Sequence, residues 1–288
     1  MNKQPAIGTS TQLLGIIGNP VGHSMSPAIH NRAFRELGLD YVYLAFRVDD
    51  VESALRGVRA LENFRGLSVT IPHKTAVIPF LDELQPVDAG IGSVNTVIKD
   101  GDRLKGLGTD GPGARKALED AGVSLHGKRI LLWGSGGAAR AIGFDLAYNA
   151  KPAALEIMGI IPEELSRLAA DIGAKSGTTV AGTLLDDRTA AAAMERADVI
   201  IHTTPVGMHP HEGKSLIPKS LFRDGQAVMD IVYNPLRTQL LKDAADRGLV
   251  TVSGLDMFVN QAALQFTAWT GLDAPIEVMR DAVLKQLA

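Results

Sequence analysis

The 288-residue chain contains no cysteine, which excludes disulfides, zinc–thiolate and iron–sulfur ligation, and a cysteine nucleophile together. Its chemistry must come from other side chains or from a cofactor. Aromatic residues make up only 5%, too few for an aromatic-cored β-sandwich; with Gly 30 this fits an α/β protein with many tight strand-to-helix turns. An excess of charge of one sign is also missing. Lys+Arg 29 against Asp+Glu 32 gives a formal net charge of -3 with no basic run, so the footprint of a phosphate-backbone binder is absent. No apolar stretch approaches the roughly 18 residues of a membrane span, and the first ten residues carry no signal-like apolar core. The expectation is a cytoplasmic protein, monomer or homodimer, whose partner is a small molecule rather than nucleic acid or membrane.

What is present is ample core material, 45% hydrophobic residues, in a length that suggests roughly two domains. The first half alternates apolar runs with helical patterns: Leu14 to Gly18, a helix over 26–37, then Tyr41 to Phe46. Ser26 is expected to cap that helix, with Pro27 at its first position and Gly38 closing it. A second helix over 50–61 precedes a strand over 66–71 stopped by Pro72, and a further helix is expected after Lys74. Residues 93–98 and 103–106 flank the turn Asp100-Gly101-Asp102 as a hairpin. From Arg129 onward short β runs at 129–133, 154–158, 198–201, 227–232 and 250–252 are separated by helical segments, the pattern of a doubly wound parallel sheet. Two helices, 257–270 and 275–287, end the chain and could pack on either domain.

The strand at 129–133 runs into Gly134-Ser135-Gly136-Gly137-Ala138-Ala139. Gly134 permits the tight turn, Gly136 lets backbone amides approach a pyrophosphate, and Ala139 keeps the following helix close to the strand. The alternative, a packing turn in a nucleotide-free domain, is outweighed by the full β-turn-α-β frame. The end of the next strand, Met158-Gly159-Ile160-Ile161-Pro162-Glu163-Glu164, carries no cation for the 2′-phosphate of NADP. NAD is therefore expected by exclusion, since an acidic partner for the ribose 2′-hydroxyl is missing too unless Glu156 serves.

Three polar clusters stand at turns or strand ends: Gly22 to Pro27, Ser68 to Lys74, and Asn95 with Thr109-Asp110-Gly111. Ser24, Ser26 and nearby amides at a helix start suit a carboxylate, although Ser26 alone could be a simple cap. Lys74 alone reads as a surface charge. Beside Asp110, its ammonium could exchange a proton with a substrate hydroxyl or ketone. His23 and His73 lack ligand spacing, so no metal is expected.

These residues resemble the shikimate dehydrogenase family, including its quinate/shikimate branch, over nearly the whole chain. Gly18 to Pro27 is similar to G-N-P-x-x-H-S-x-S-P, Ser68 to Lys74 to N-V-T-x-P-x-K, Gly92 to Thr96 to G-A-V-N-T, Thr109-Asp110-Gly111 to the end of N-T-D-G, and Gly134 to Arg140 to G-A-G-G-A-x-R. Thr204 to Met208, Asp230 to Pro235 and Gly254 to Ala263 complete the series. The resemblance implies two domains: 1–110 plus 256–288 for the substrate, with the terminal helices returning to it, and 111–255 as a Rossmann-like NAD(P) domain. It implies Lys74 and Asp110 as the acid–base pair, and Ser24, Ser26, Ser68, Thr70, Asn95, Tyr233 and Gln261 as substrate contacts. Cofactor contacts would come from Gly134, Ser135, Gly136, Gly137, Ala138, Met158, Gly159, Ile160, Thr203, Thr204, Pro205, Val232, Gly254 and Met257. The implied activity is interconversion of shikimate or quinate with its 3-dehydro form, as in aromatic amino acid biosynthesis. Rival readings are a dehydrogenase of an amino- or otherwise modified analogue and a non-catalytic dinucleotide-binding regulator. Four departures mark the chain: Ser68 and Gly108 stand for Asn, His202 for an Asn near the cofactor, and Gly159-Ile160-Ile161 for N-R-T. The last loses the Arg and again points to NAD.

Overall fold

The computed structural model describes residues 6–287. The chain divides into two compact units, one running up to Thr109 and resuming at Gln261, the other Asp110–Asn260. Among the described residues no helix is long and apolar enough to cross a membrane.

The first unit holds β1 (Gln12–Gly18), α1 (Ser26–Leu37), β2 (Tyr41–Arg47), α2 (Val51–Ala60), β3 (Phe64–Val69), β4 (Glu83–Leu84), α3 (Pro86–Ile91), β5 (Thr96–Asp100) and β6 (Arg103–Leu107). Its sheet has the order β2-β1-β3-β5-β6-β4. β1 lies parallel to β2 and β3, whereas β5 is antiparallel to β3 and β6, so the unit is mixed α/β. Val51, Leu55 and Val58 of α2 fill one core with Ile17, Leu67, Val69, Val97 and Leu104 of the sheet, the i, i+4, i+7 stripe expected of a core-facing helix.

Two local expectations need correction. Ser26 does not cap α1: it is the first helical residue, Met25 is the N-cap without a side-chain bond, and the Ser24 hydroxyl accepts the Ser26 amide at 3.2 Å. No α-helix begins directly after Lys74 either: a 3-10 turn at Ile78–Phe80 comes first, and the next α-helix is the short α3 beyond β4. Pro79 within the 3-10 turn has no amide to donate to a longer helix.

The second unit contains α4 (Asp110–Asp120), β7 (Arg129–Trp133), α5 (Gly137–Asp145), β8 (Ala154–Gly159), α6 (Pro162–Ser176), β9 (Val180–Leu184), α7 (Asp187–Arg196), β10 (Val199–His202), β11 (Ala227–Asp230), α8 (Gln239–Ala245) and β12 (Val250–Val252). All pairings in its sheet, order β12-β11-β10-β7-β8-β9, are parallel. That is the doubly wound Rossmann order, with its switch point between β7 and β10, where such folds bind ligands outside the carboxyl ends of the strands. β9 carries no continuous apolar run because it is an edge strand with partly exposed side chains. Helix α9 (Gly254–Thr270) begins in this unit and continues in the first, and α10 (Ile276–Leu287) packs on α1.

Candidate active site

In the first unit the polar clusters of the sequence converge through hydrogen bonds. The Asn95 carboxamide donates to the Thr109 hydroxyl at 2.9 Å and accepts the Thr109 amide at 2.8 Å. The Thr109 hydroxyl lies 3.3 Å from Gln261 Oε1, so three distant chain segments meet in one buried group. Ser68 on β3 accepts from the Tyr43 hydroxyl at 2.6 Å and donates to Gln265 Oε1 at 2.9 Å. Gln265 in turn donates to the Thr96 hydroxyl at 2.8 Å and to the Asn95 carbonyl at 3.1 Å. Burial pushes the Tyr43 phenol well above its ordinary value, against the opposing influence of the Ser68 and Ser26 hydroxyls. Ser68 thus has its one proton committed to Gln265, and meets any further partner only as an acceptor.

Lys74 follows β3 by five residues and is half-buried. Its carbonyl accepts the Val94 amide at 2.9 Å, which ties the lysine's backbone to the segment carrying Asn95. Thr70 is fixed the same way: its amide bonds the Ile17 carbonyl at 3.0 Å and its carbonyl takes the His73 amide at 2.9 Å. His73 is buried with Nε2 against the Val48 carbonyl at 2.8 Å, a structural role, and His23 is exposed.

Tyr43, Gln265 and His30 were not singled out from the sequence, and Thr96 and Thr109 entered only as members of motifs. Gln265 carried a signal, since it stands one helical turn after Gln261 and faces the same way. Tyr43 is the one fully buried side chain of β2. His30 stacks on Tyr43 at 4.6 Å and meets the Trp269 edge at 5.2 Å. Burial drives its imidazole down to about 3. Gln265 works in the opposite direction, although neither ring nitrogen reaches hydrogen-bonding geometry. A lowered folded-state value means that the unfolded chain binds the extra proton first, so stability is lost as pH falls below about 6.5. We expect this one group to contribute a slope of up to about 1.4 kcal/mol per pH unit between 6.5 and 3. Urea unfolding of wild type and His30→Phe across that range checks it; parallel pH dependences would refute it.

In the second unit Asp110 is the first residue of α4. Tyr233 stacks on Phe258 at 5.2 Å, and burial raises its phenol above the ordinary value. The glycine turn lies where the switch point requires. Gly134 has φ +127°, and a Cβ there would stand 2.5 Å from Thr203 Oγ1 and 3.0 Å from Thr204 Cγ2. Thr203 donates to the Trp133 carbonyl at 3.1 Å, and Val232 is buried beyond β11. Gly254 sits against the backbone of Ile231 and Val232, closer than any Cβ allows. Met257 follows on α9, and Pro205 holds the Met208 amide through its carbonyl at 3.2 Å. Gly159 stands where a Cβ would meet Ser135 Oγ at 2.6 Å.

One expected contact, Met158, and one residue left open, Glu156, are engaged elsewhere. Met158 is fully buried in the core, with only its carbonyl reaching the turn, 2.8 Å from the Gly134 amide. Glu156 is engaged by Arg196 at 3.0 Å and by the Thr183 hydroxyl at 2.9 Å, so it does not serve a ribose.

A dinucleotide fits this turn. Gly136, the N-cap of α5, has no side chain to block or cap the helix amides, and no acidic residue occupies the first turn. A Cβ on Gly136 or Gly137 would meet nothing within 4 Å, so the backbone face that receives a pyrophosphate is open. Ile160 lies 75% exposed at the end of β8, where the 2′ position of the ribose would be read. Among the described residues no group of three or more His, Asp or Glu could hold a metal.

The sequence matches two family descriptions, "Shikimate dehydrogenase substrate binding domain" over residues 16–97 and "Shikimate 5'-dehydrogenase C-terminal domain" over residues 254–284. It is 45% identical to the shikimate dehydrogenase (NADP(+)) of Moorella thermoacetica over 285 residues, 97% of this chain and 95% of that protein. The fold matches shikimate 5-dehydrogenase from Listeria monocytogenes, solved with shikimate and NAD, with TM-score 0.92 and 35% identity, covering 98% and 99% of the two chains. Quinate dehydrogenase from Corynebacterium glutamicum, solved with NAD, matches with TM-score 0.87 and 29% identity over 96% and 99%.

One expectation is overturned. Relatives from Moorella thermoacetica, Methanothermobacter thermautotrophicus and Methanopyrus kandleri, 41–45% identical, are all named for NADP(+), against the NAD expected from residues 158–164. The exclusion relied on side-chain cations in one segment alone. A phosphate also takes backbone amides, hydroxyls and cations from neighbouring elements, and Arg188 enters α7 just beyond β9. Likeness across nearly the full length of the Moorella enzyme places the chain in the shikimate dehydrogenase family.

Proposed function

We propose that the chain interconverts shikimate and its 3-dehydro form with NADP+ as the redox partner. The observation that carries this reading is the buried Asn95–Thr109–Gln261 group, joined through Val94 to the backbone of Lys74. It assembles amide and hydroxyl groups suited to a polyhydroxylated ring next to a lysine fixed at its main chain. NADP+, when bound, supplies the two-electron acceptor for the hydrogen on the carbinol carbon. Lys74 Nζ removes the hydroxyl proton as the carbonyl forms, and its ammonium returns that proton to oxygen in reduction. Asp110 is assigned to holding the ammonium. Ser24, together with the α1 amides, which face no acidic residue in the first turn, takes the ring carboxylate. Thr70, Asn95 and Gln261 orient the ring hydroxyls, and Ser68 offers them an acceptor only.

Steady-state kinetics with NADP+ and NAD+ against shikimate, quinate and amino-substituted analogues tests the reading. The expected result is the highest kcat/KM for shikimate with NADP+, by at least about tenfold over NAD+, as one well-placed phosphate contact provides. A higher kcat/KM with NAD+ would refute the cofactor assignment. Turnover of quinate or an analogue alone would refute the substrate. Dinucleotide binding without turnover of any acid would make the chain a regulator.

A further inference from the structure

His202, where the family pattern has Asn, is the last residue of β10, an interior strand of the sheet that carries the glycine turn. It is 2% exposed and pairs in register with Asp230 of β11 and Trp133 of β7. Its Nδ1 lies 3.0 Å from Asp230 Oδ1, and its Nε2 2.6 Å from the Thr204 hydroxyl. The carboxylate is itself fixed: Oδ1 accepts the Val232 amide at 3.1 Å and Oδ2 the Thr238 hydroxyl at 2.6 Å, with Thr238 capping α8. Since a carboxylate only accepts, Asp230 places a proton on Nδ1 and orients the ring. Nε2 is thereby aimed at Thr204, whose oxygen also takes the Val206 amide at 3.3 Å. Thr204 in turn lies beside Gly134, its Cγ2 3.0 Å from where a Cβ would stand.

Resting on the dinucleotide reading above, we propose that the Asp230–His202–Thr204 chain is a positioning device. It holds the turn at 203–206 against Gly134 and so sets affinity for the dinucleotide. His202 is a positioning residue: it is buried behind Thr204 and acts through that hydroxyl. The Asn of the family pattern is shorter than imidazole, and cannot span from the Asp230 carboxylate to the Thr204 hydroxyl in the same straight line. The arrangement is thus particular to the histidine. A buried His–Asp pair that merely joined β10 to β11 would instead affect stability alone.

Calorimetric titration with NADP+, and separately with shikimate, of wild type, His202→Leu, His202→Asn, Thr204→Val and the His202→Leu/Thr204→Val pair separates these roles. Each single substitution at His202→Leu or Thr204→Val is expected to weaken NADP+ binding about tenfold, the loss of one net hydrogen bond, with shikimate binding unchanged. The double variant is expected to bind no more weakly than the weaker single, because both break one chain. His202→Asn is expected to fall between wild type and His202→Leu. If His202→Leu does not fold, Thr204→Val and His202→Asn carry the same comparison. Unchanged NADP+ affinity in folded variants overturns the proposal. So do losses that multiply in the double variant, or equal losses for NADP+ and shikimate. A wild-type protein that binds no NADP+ overturns the cofactor reading and this inference with it, whereas tight wild-type binding that every variant retains overturns the inference alone.

Discussion

Lys74→Ala is expected to lower kcat by about two to four orders of magnitude, the range for loss of a positioned acid–base group, while KM for shikimate changes much less. One tie of residue 74 to the first unit survives the change: its carbonyl accepts the Val94 amide at 2.9 Å, and alanine keeps that bond. The side chain is half-buried and lies outside the apolar core around α2. A melting curve matching wild type then shows that a loss of activity reports on chemistry rather than on folding. Stopped-flow single turnover with NADP+ isolates the chemical step from product release. Near-normal turnover would remove Lys74 from the mechanism. A raised KM with unchanged kcat would make it a binding residue, since only interactions stronger in the transition state change kcat.

The second large effect is expected at the glycine turn, where two neighbouring glycines do different work. Gly134→Ala puts a Cβ on a residue at φ +127°, 2.5 Å from Thr203 Oγ1. Backbone strain and overpacking together cost about 3 kcal/mol, a fall in Tm of roughly 6–12 °C for a unit of this size. The strand cannot give way cheaply, because the Gly134 amide is bonded to the Met158 carbonyl and the Thr203 hydroxyl to the Trp133 carbonyl. Gly136→Ala is expected to leave Tm within about 1 °C, since φ is -78° and a Cβ there meets nothing within 4 Å. It is nevertheless expected to weaken NADP+ binding by about tenfold or more, because on the proposed reading that open space takes the pyrophosphate against the α5 amides. Differential scanning calorimetry with and without NADP+ reads both effects. A Gly136→Ala variant that binds NADP+ like wild type would move the phosphate site away from this turn.

The core of this contrast was legible in the chain. A strand, then Gly-Ser-Gly-Gly-Ala-Ala, then a helix-favouring run placed β7, the turn and α5 to within a residue or two at most boundaries, because the backbone freedom needed there belongs to glycine alone. The strands at 129–133 and 250–252 were read at their observed limits, being apolar runs bounded by polar or turn residues. β9 and α3 were not read. β9 is a short edge strand with little to bury, and α3 has only six residues, too few for a periodic pattern. Helix α1 starts one position earlier than a cap at Ser26 implies: Met25 is the N-cap and Ser26 the first helical residue, because backbone geometry and not side-chain type decides where the first turn begins.

The sequence by itself determined the two α/β units, the doubly wound parallel character of the second, and the family, because local periodicity, turn chemistry and motif spacing are properties of neighbours along the chain. Only the tertiary structure decided that Ser68 is tied between Tyr43 and Gln265 and that His202 bridges Asp230 to Thr204. It also decided that the Met158 side chain lies in the core. These facts depend on partners up to 197 residues apart, and on which face of a strand or helix they share. No single segment specifies such hydrogen-bond partners; Tyr43 and Ser68 meet because β2 and β3 flank β1 in the first sheet, and His202 meets Asp230 because β10 lies beside β11 in the second.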